Sequence, residues 1–147
     1  MLRETRSEEE TRALAAEVAT MLGAGDVVAL MGPLGAGKTA FVRGLAAALG
    51  LAEGERVSSP SYALVNRYAL ADEVRGAFEL VHLDLYRIEG DDALEAIGFD
   101  ELGPESIVVV EWPEHAPHAL AVATFTLRFE DIGADARRID LVRRSRG

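Results

Sequence analysis

One stretch, Gly32-Pro33-Leu34-Gly35-Ala36-Gly37-Lys38-Thr39, narrows the folds open to this chain of 147 residues. It fits the pattern G-x-x-x-x-G-K-[ST] and contains the only lysine. The chain has 15 Lys and Arg residues, so the other 14 are Arg. Arg presents a wide planar fork, whereas Lys is a compact ammonium on a thin stem. A loop wrapped closely around phosphates admits the second and not the first. Asp26 to Met31 before the loop is apolar and partly β-branched, and reads as a buried strand. Ala40 to Leu49 after it is rich in Ala and Leu, with Phe41, Val42 and Leu45 at helical spacing and Gly50 as a stop. A glycine loop between a strand and a helix is the context of a phosphate-binding P-loop. Gly35 and Gly37 would let backbone N–H groups turn inward at the positive end of the helix. Lys38 would reach the β- and γ-phosphates, and the Thr39 hydroxyl would ligate Mg²⁺.

A P-loop alone only binds; hydrolysis needs a held metal and an oriented water. In a parallel sheet such groups sit at the carboxyl ends of strands. Two strands end in an acid. Val81-His82-Leu83-Asp84 brings Asp84 to a strand end, and Ile107-Val108-Val109-Val110-Glu111 brings Glu111 to another. Pro113 after Trp112 stops the second strand and would aim Glu111 outward. Pattern leaves open which acid touches the metal and which orients water. A blander role for Asp84 is to cap the turn before Tyr86.

The rest of the chain reads as mixed α/β. Ser7-Glu8-Glu9-Glu10 fits a capping box opening an amphipathic helix that runs to Leu22 and closes at Gly23. Strands are expected over 62–68, 78–86, 106–111, 124–129 and 138–143, with a short helix over 91–97. Gly133-Ala134-Asp135-Ala136 lies between the last two strands and predicts a C-terminal hairpin. The expected fold is a P-loop NTPase-like three-layer α/β fold. Its sheet is mixed and mainly parallel, flanked by helices, with a C-terminal antiparallel hairpin, in one domain over residues 1–147. Hydrophobic content of 49% suits a chain that buries about two thirds of its unfolded surface.

Net charge is −10, which argues against a broad nucleic-acid surface. The one basic cluster is Arg137-Arg138 … Arg143-Arg144-Ser145-Arg146, read as a solvated strand edge and terminus. There is no cysteine, hence no disulfide or thiol chemistry. The first residues carry no apolar signal stretch and no segment approaches a membrane span, so a soluble, cytoplasmic protein is expected.

With these residues assembled, the chain resembles the TsaE family (formerly YjeE), bacterial ATPases of tRNA threonylcarbamoyladenosine biosynthesis. Four blocks carry the resemblance: Gly32 to Thr39; Ser59-Pro60-Ser61-Tyr62-Ala63-Leu64-Val65; His82-Leu83-Asp84-Leu85-Tyr86-Arg87; and Val110-Glu111-Trp112-Pro113-Glu114. The resemblance implies that Leu34, Gly35, Ala36, Gly37, Lys38 and Thr39 hold the phosphates of ATP. It places Thr39 and Glu111 at Mg²⁺ with Asp84 close by, and Glu8 at the nucleotide. It makes Trp112 a residue needed for activity, and Ser59-Pro60-Ser61 and His82 to Arg87 two switches. It implies partners as well: TsaB and TsaD, whose complex is reset by ATP hydrolysis between rounds of tRNA modification, so that tRNA is met only through the complex. Ser61 stands where the family usually has Thr, a less restrained hydroxyl.

Three rival readings stand beside this one. A GTPase would need an Asn/Thr-Lys-x-Asp motif, and the only lysine already lies in the P-loop. Asp100-Glu101-Leu102-Gly103 fits D-x-x-G but reads as a loop. A small-metabolite kinase could use Asp84 as its base, yet no Arg-rich lid is evident. A nucleotide-gated binding module with incidental turnover is the third. His115-x-x-His118 reads as solvated rather than as a metal site.

Overall fold

The computed structural model describes residues 1–57 and 65–144. Ser59-Pro60-Ser61, and residues 62–64 of the expected strand, lie outside them. In chain order the elements are β1 (Leu2–Thr5), α1 (Glu8–Ala19), β2 (Val27–Met31), α2 (Lys38–Leu49), β3 (Val65–Val74), β4 (Ala77–Asp84), α3 (Asp91–Ala96), β5 (Ser106–Glu111), α4 (Pro117–Ala121), β6 (Phe125–Gly133) and β7 (Ala136–Arg143).

The start of α1 follows from its capping residues. Ser7 Oγ accepts the N–H of Glu10 at 3.1 Å. The Glu10 carboxylate accepts in turn from the N–H of Arg6 at 3.0 Å, one residue earlier than a standard capping box, so it fixes the chain entering the helix. The helix ends at Ala19, short of the expected Leu22. Its last turn tightens: Met21 N–H donates to Val18 O at 2.9 Å and Leu22 N–H to Ala19 O at 3.2 Å. The Arg75 guanidinium, from the turn between β3 and β4, donates to the carbonyls of Ala19 and Leu22 and closes the helix from outside.

All seven strands form one sheet in the order β1-β7-β6-β2-β5-β4-β3. Its centre, β4-β5-β2-β6, is parallel. Strand β3 adds antiparallel at one edge, and β7 and β1 at the other. The expected hairpin joins β6 to β7 through Ala134 and Asp135, both at positive φ. That is the two-residue turn whose twist suits paired strands. Two strand bounds need correction, and two elements are additions. Strand β4 stops at Asp84 rather than Tyr86, because Asp84 accepts the Tyr86 N–H and starts a turn. Strand β3 runs on to Val74, and β1 and α4 were not foreseen.

The sheet separates two cores, giving the expected three layers. On one face α1 and α2 pack over Val28, Leu30, Leu80, Ile107, Val109 and Leu127. On the other, Leu94 of α3 and Ala119 of α4 cover Val81, Leu83, Val108 and Val110. Adjacent strand residues divide between the faces, as the pleat requires. Among the described residues no helix is long and apolar enough to cross a membrane.

Candidate active site

The loop between β2 and α2 needs its glycines. A Cβ on Gly32 would lie 2.8 Å from the Phe129 carbonyl oxygen of β6, so only glycine passes there. Gly35 and Gly37 sit at φ 78° and 103°, in the left-handed region. They turn the chain so that α2 begins at Lys38 with no side-chain cap at its N-terminus. Arg137 of β7 lies over the loop. Its Nη2 donates to Gly35 O at 3.1 Å, and its Nη1 pairs with Asp131 at 3.2 Å.

Lys38 is 4% exposed, and its Nζ has no hydrogen-bond partner among the described residues. The ammonium lies 3.9 Å from the centre of the Trp112 ring, a cation–π contact. Burial holds Lys38 below the usual lysine range, while Glu111, Asp84 and Glu114 pull it back up. Trp112 follows the end of β5 at φ 57° and packs against Tyr86 and His115, with ring centres 5.1 and 5.5 Å away.

Asp84 and Glu111 are register partners at the carboxyl ends of β4 and β5. Glu111 is 7% exposed rather than aimed outward. Its Oε2 lies 2.6 Å from Nε2 of buried His82, which draws the carboxylate inward over the sheet. Asp84 Oδ1 accepts the Tyr86 N–H at 2.9 Å, so the turn-capping role is real. It coexists with a position near enough to Lys38 to affect its protonation.

A cleft of about 460 Å³ opens above the loop. Leu34, Gly35, Gly37, Lys38 and Thr39 line it, and Glu111 lines its sheet side. Glu8 borders it with Arg6 and Ser7 from the start of α1, and Asp135 and Arg137 close it from the β6–β7 hairpin. Three of the expected residues do not line it. Ala36 is buried, Asp84 lies beside it, and Trp112 borders a separate groove with Pro33 and Glu114. The sequence reading assigned no role here to Arg6, Asp135 or Arg137, nor to His82 as the partner of Glu111. His115 and His118 do not converge: Nδ1 of the first lies 2.8 Å from Leu85 O, and Nε2 of the second 2.9 Å from Asp100. An uncapped helix N-terminus, inward-turning glycines and a buried ammonium suit a polyanion.

Residues 5–139 match the family described as threonylcarbamoyl adenosine biosynthesis protein TsaE. A protein of that name from Aquifex aeolicus is 44% identical over 108 residues, covering 74% of this chain and 73% of the relative. The Bacillus subtilis protein is 35% identical over 136 residues, 92% of this chain and 80% of its own. The crystal structure of YdiB from Bacillus subtilis superposes with a TM-score of 0.72 at 29% identity, covering 99% of this chain and 86% of that one. On a match spanning nearly its whole length, the chain belongs to the TsaE family.

Proposed function

We propose that the chain binds ATP with Mg²⁺ and hydrolyses it, slowly alone and faster when docked on TsaB and TsaD. In this reading hydrolysis resets that pair between rounds of tRNA threonylcarbamoyladenosine formation. The observation that carries it is Lys38. An ammonium buried without an acceptor is unfavourable, and phosphate oxygens in the adjoining cleft would supply acceptors. The backbone N–H groups of the loop and the start of α2 would hold the same phosphates. The relatives' name supports the tRNA modification pathway.

The residues present fit Mg²⁺ in a particular way. Thr39 and Glu111 line one cleft, with Asp84 in register beside Glu111. Among the described residues no group of three or more acids and histidines could hold a metal alone. Thr39, Glu111 and Asp84 would therefore share the ion with phosphate oxygens and water, as Mg²⁺ sites commonly do. Bound there, the ion would offset charge on the phosphates. Lys38 would leave the Trp112 ring for the β- and γ-phosphates. Asp84 and Glu111 would divide the tasks of holding the ion and orienting the attacking water. Trp112, packed against half-exposed Tyr86, would carry the change at Lys38 to a surface where partners can dock.

The test is phosphate release by the purified chain with and without TsaB and TsaD, alongside Glu111→Ala. We expect stimulation by the pair. Glu111→Ala should leave nucleotide affinity within about tenfold while turnover falls at least about a hundredfold. Unchanged turnover removes Glu111 from the mechanism. Rapid phosphate transfer to a small metabolite, indifferent to the partners, overturns the reading.

A further inference from the structure

We propose that His82 is a positioning residue that holds the Glu111 carboxylate back from Lys38, leaving both free for nucleotide; this rests on the hydrolysis reading above. Along β4, Val81 and Leu83 face the core beneath α3 and α4, while Leu80 packs in the core beneath α1 and α2. The alternation places His82 on the same face as Leu80 and Asp84, with Val109 of β5 and Asn66 of β3 opposite it in register. His82 is 2% exposed. Its Nδ1 has no hydrogen-bond partner among the described residues, so Glu111 provides the only hydrogen bond the ring makes there. An ionised carboxylate only accepts, so Nε2 donates to Oε2 at 2.6 Å. A buried imidazole with one bond leaves its second nitrogen unpaired among the described residues, a cost that Leu or Val at this position would not carry.

The consequence lies in what Glu111 would otherwise do. Lys38 is a buried ammonium with no acceptor among the described residues, and Glu111 is the acid that attracts it most strongly. Released from His82, a flexible glutamate can swing to that ammonium and form an ion pair inside the phosphate loop. Such a pair would draw Lys38 off Trp112 and compete with phosphate for it. It would also remove the carboxylate from the position where it meets the metal or water. Tied at Oε2, Glu111 keeps one oxygen for the cleft it lines.

Trp112 is the only tryptophan and lies under Lys38, so its emission reports the pair without nucleotide. Three proteins are compared: wild type, His82→Leu, and His82→Gln, whose amide N–H reaches where Nε2 does. In ligand-free protein His82→Leu should shift Trp112 emission. Adding Glu111→Gln to it should restore emission towards wild type, because no carboxylate remains to pull Lys38. In ATP turnover His82→Leu should lose at least about tenfold in kcat, and His82→Gln should stay within about threefold of wild type. Should the leucine variant fail to fold, His82→Asn replaces it, since its shorter amide cannot reach Glu111. Unmoved emission in the non-bonding variant overturns the proposal. So does an equal loss of turnover in the bonding and non-bonding variants, which would mark a packing role. A wild type that hydrolyses no ATP overturns the hydrolysis reading and the turnover role of His82 together. The nucleotide-free emission comparison fails only if His82 does not set Glu111 against Lys38.

Discussion

Lys38 combines two unfavourable features for a folded chain: burial, and an ammonium without an acceptor among the described residues. The Trp112 ring offsets part of this, and three acids attract the charge, yet burial dominates and holds its pKa low. A residue retained on such terms should be replaceable with a gain in stability if ligand binding is ignored. Lys38→Met keeps the length and removes the charge. We expect it to stabilise the ligand-free protein by about 1 kcal/mol in urea unfolding. The ligand response should reverse the order. ATP at a hundredfold over its Kd should stabilise the wild type by about 2.7 kcal/mol and leave Lys38→Met unmoved. A methionine variant that is less stable and still responds to ATP would mean that Lys38 is structural.

At the scale of elements, α1 and α2 meet where α2 has no side chain. A Cβ on Gly44 would lie 2.7 Å from Cα of Arg12 and 2.9 Å from its carbonyl oxygen, both backbone atoms. Alanine is the better helix former by about 1 kcal/mol. Gly44→Ala should nonetheless destabilise by about 1–3 kcal/mol in thermal or urea unfolding, because the helices must move apart. The opposite sign would show that the two helices are loosely packed. A second test concerns the strands beneath. Glu79 of β4 bonds to Arg67 of β3 and accepts from Ser106 Oγ of β5 at 2.7 Å. The bond from Arg67 chiefly holds its carboxyl below the ordinary value of 4.5. A lowered folded pKa gives stability that is complete above the unfolded value and disappears as pH falls through the folded one. Arg67 is mostly exposed, so Glu79→Gln should cost only about 0.5 kcal/mol at neutral pH. Its urea curve should merge with wild type in acid. A gap that persists there assigns the loss to packing.

These elements also mark how far the sequence could be read. Strand β5 was legible to the residue because an apolar run ends at Glu111 before Trp112-Pro113. The β6–β7 hairpin was legible from its turn. Strand β1 was not: four residues, one of them buried, are too short to show alternation, and β7, its partner, comes from the far end of the chain. Gly44 carried no signal in the sequence, since close approach of another helix leaves no mark in local pattern. The site divides the same way. Lys38 and Thr39 belong to a contiguous motif, and Glu111 ends a strand, so all three could be anticipated at the cleft. Arg137 and Asp135 reach the cleft only because the sheet order carries the hairpin over the loop. His82 reads in sequence as a polar residue between Val81 and Leu83, and only the parallel pairing of β4 with β5 gives it a partner.

For the whole molecule, charge decides how it can approach tRNA. The chain carries 25 acids against 15 bases. Among the described residues, the four arginines of its basic cluster are engaged within the fold. Arg137 pairs with Asp131, and Arg138 with Glu4 and Glu130. Arg143 stands over the Phe125 ring, and Arg144 donates to the last carbonyls of α4. These guanidinium groups hold strands and a helix end together, and do not form a free row spaced for phosphates. Binding to nucleic acid draws most of its strength from released counterions, which requires several cations facing the backbone at once. The isolated chain should therefore bind tRNA no more tightly than about 10⁻⁴ M at physiological salt. Filter binding over a range of salt concentrations would show a shallow slope, since few phosphates are neutralised. Under the proposed function tRNA would then be reached through the partner pair, with this chain contributing nucleotide turnover. Tight binding that falls steeply with salt would contradict that division, and would require a basic surface that the ion pairs of β6, β7 and β1 do not leave open.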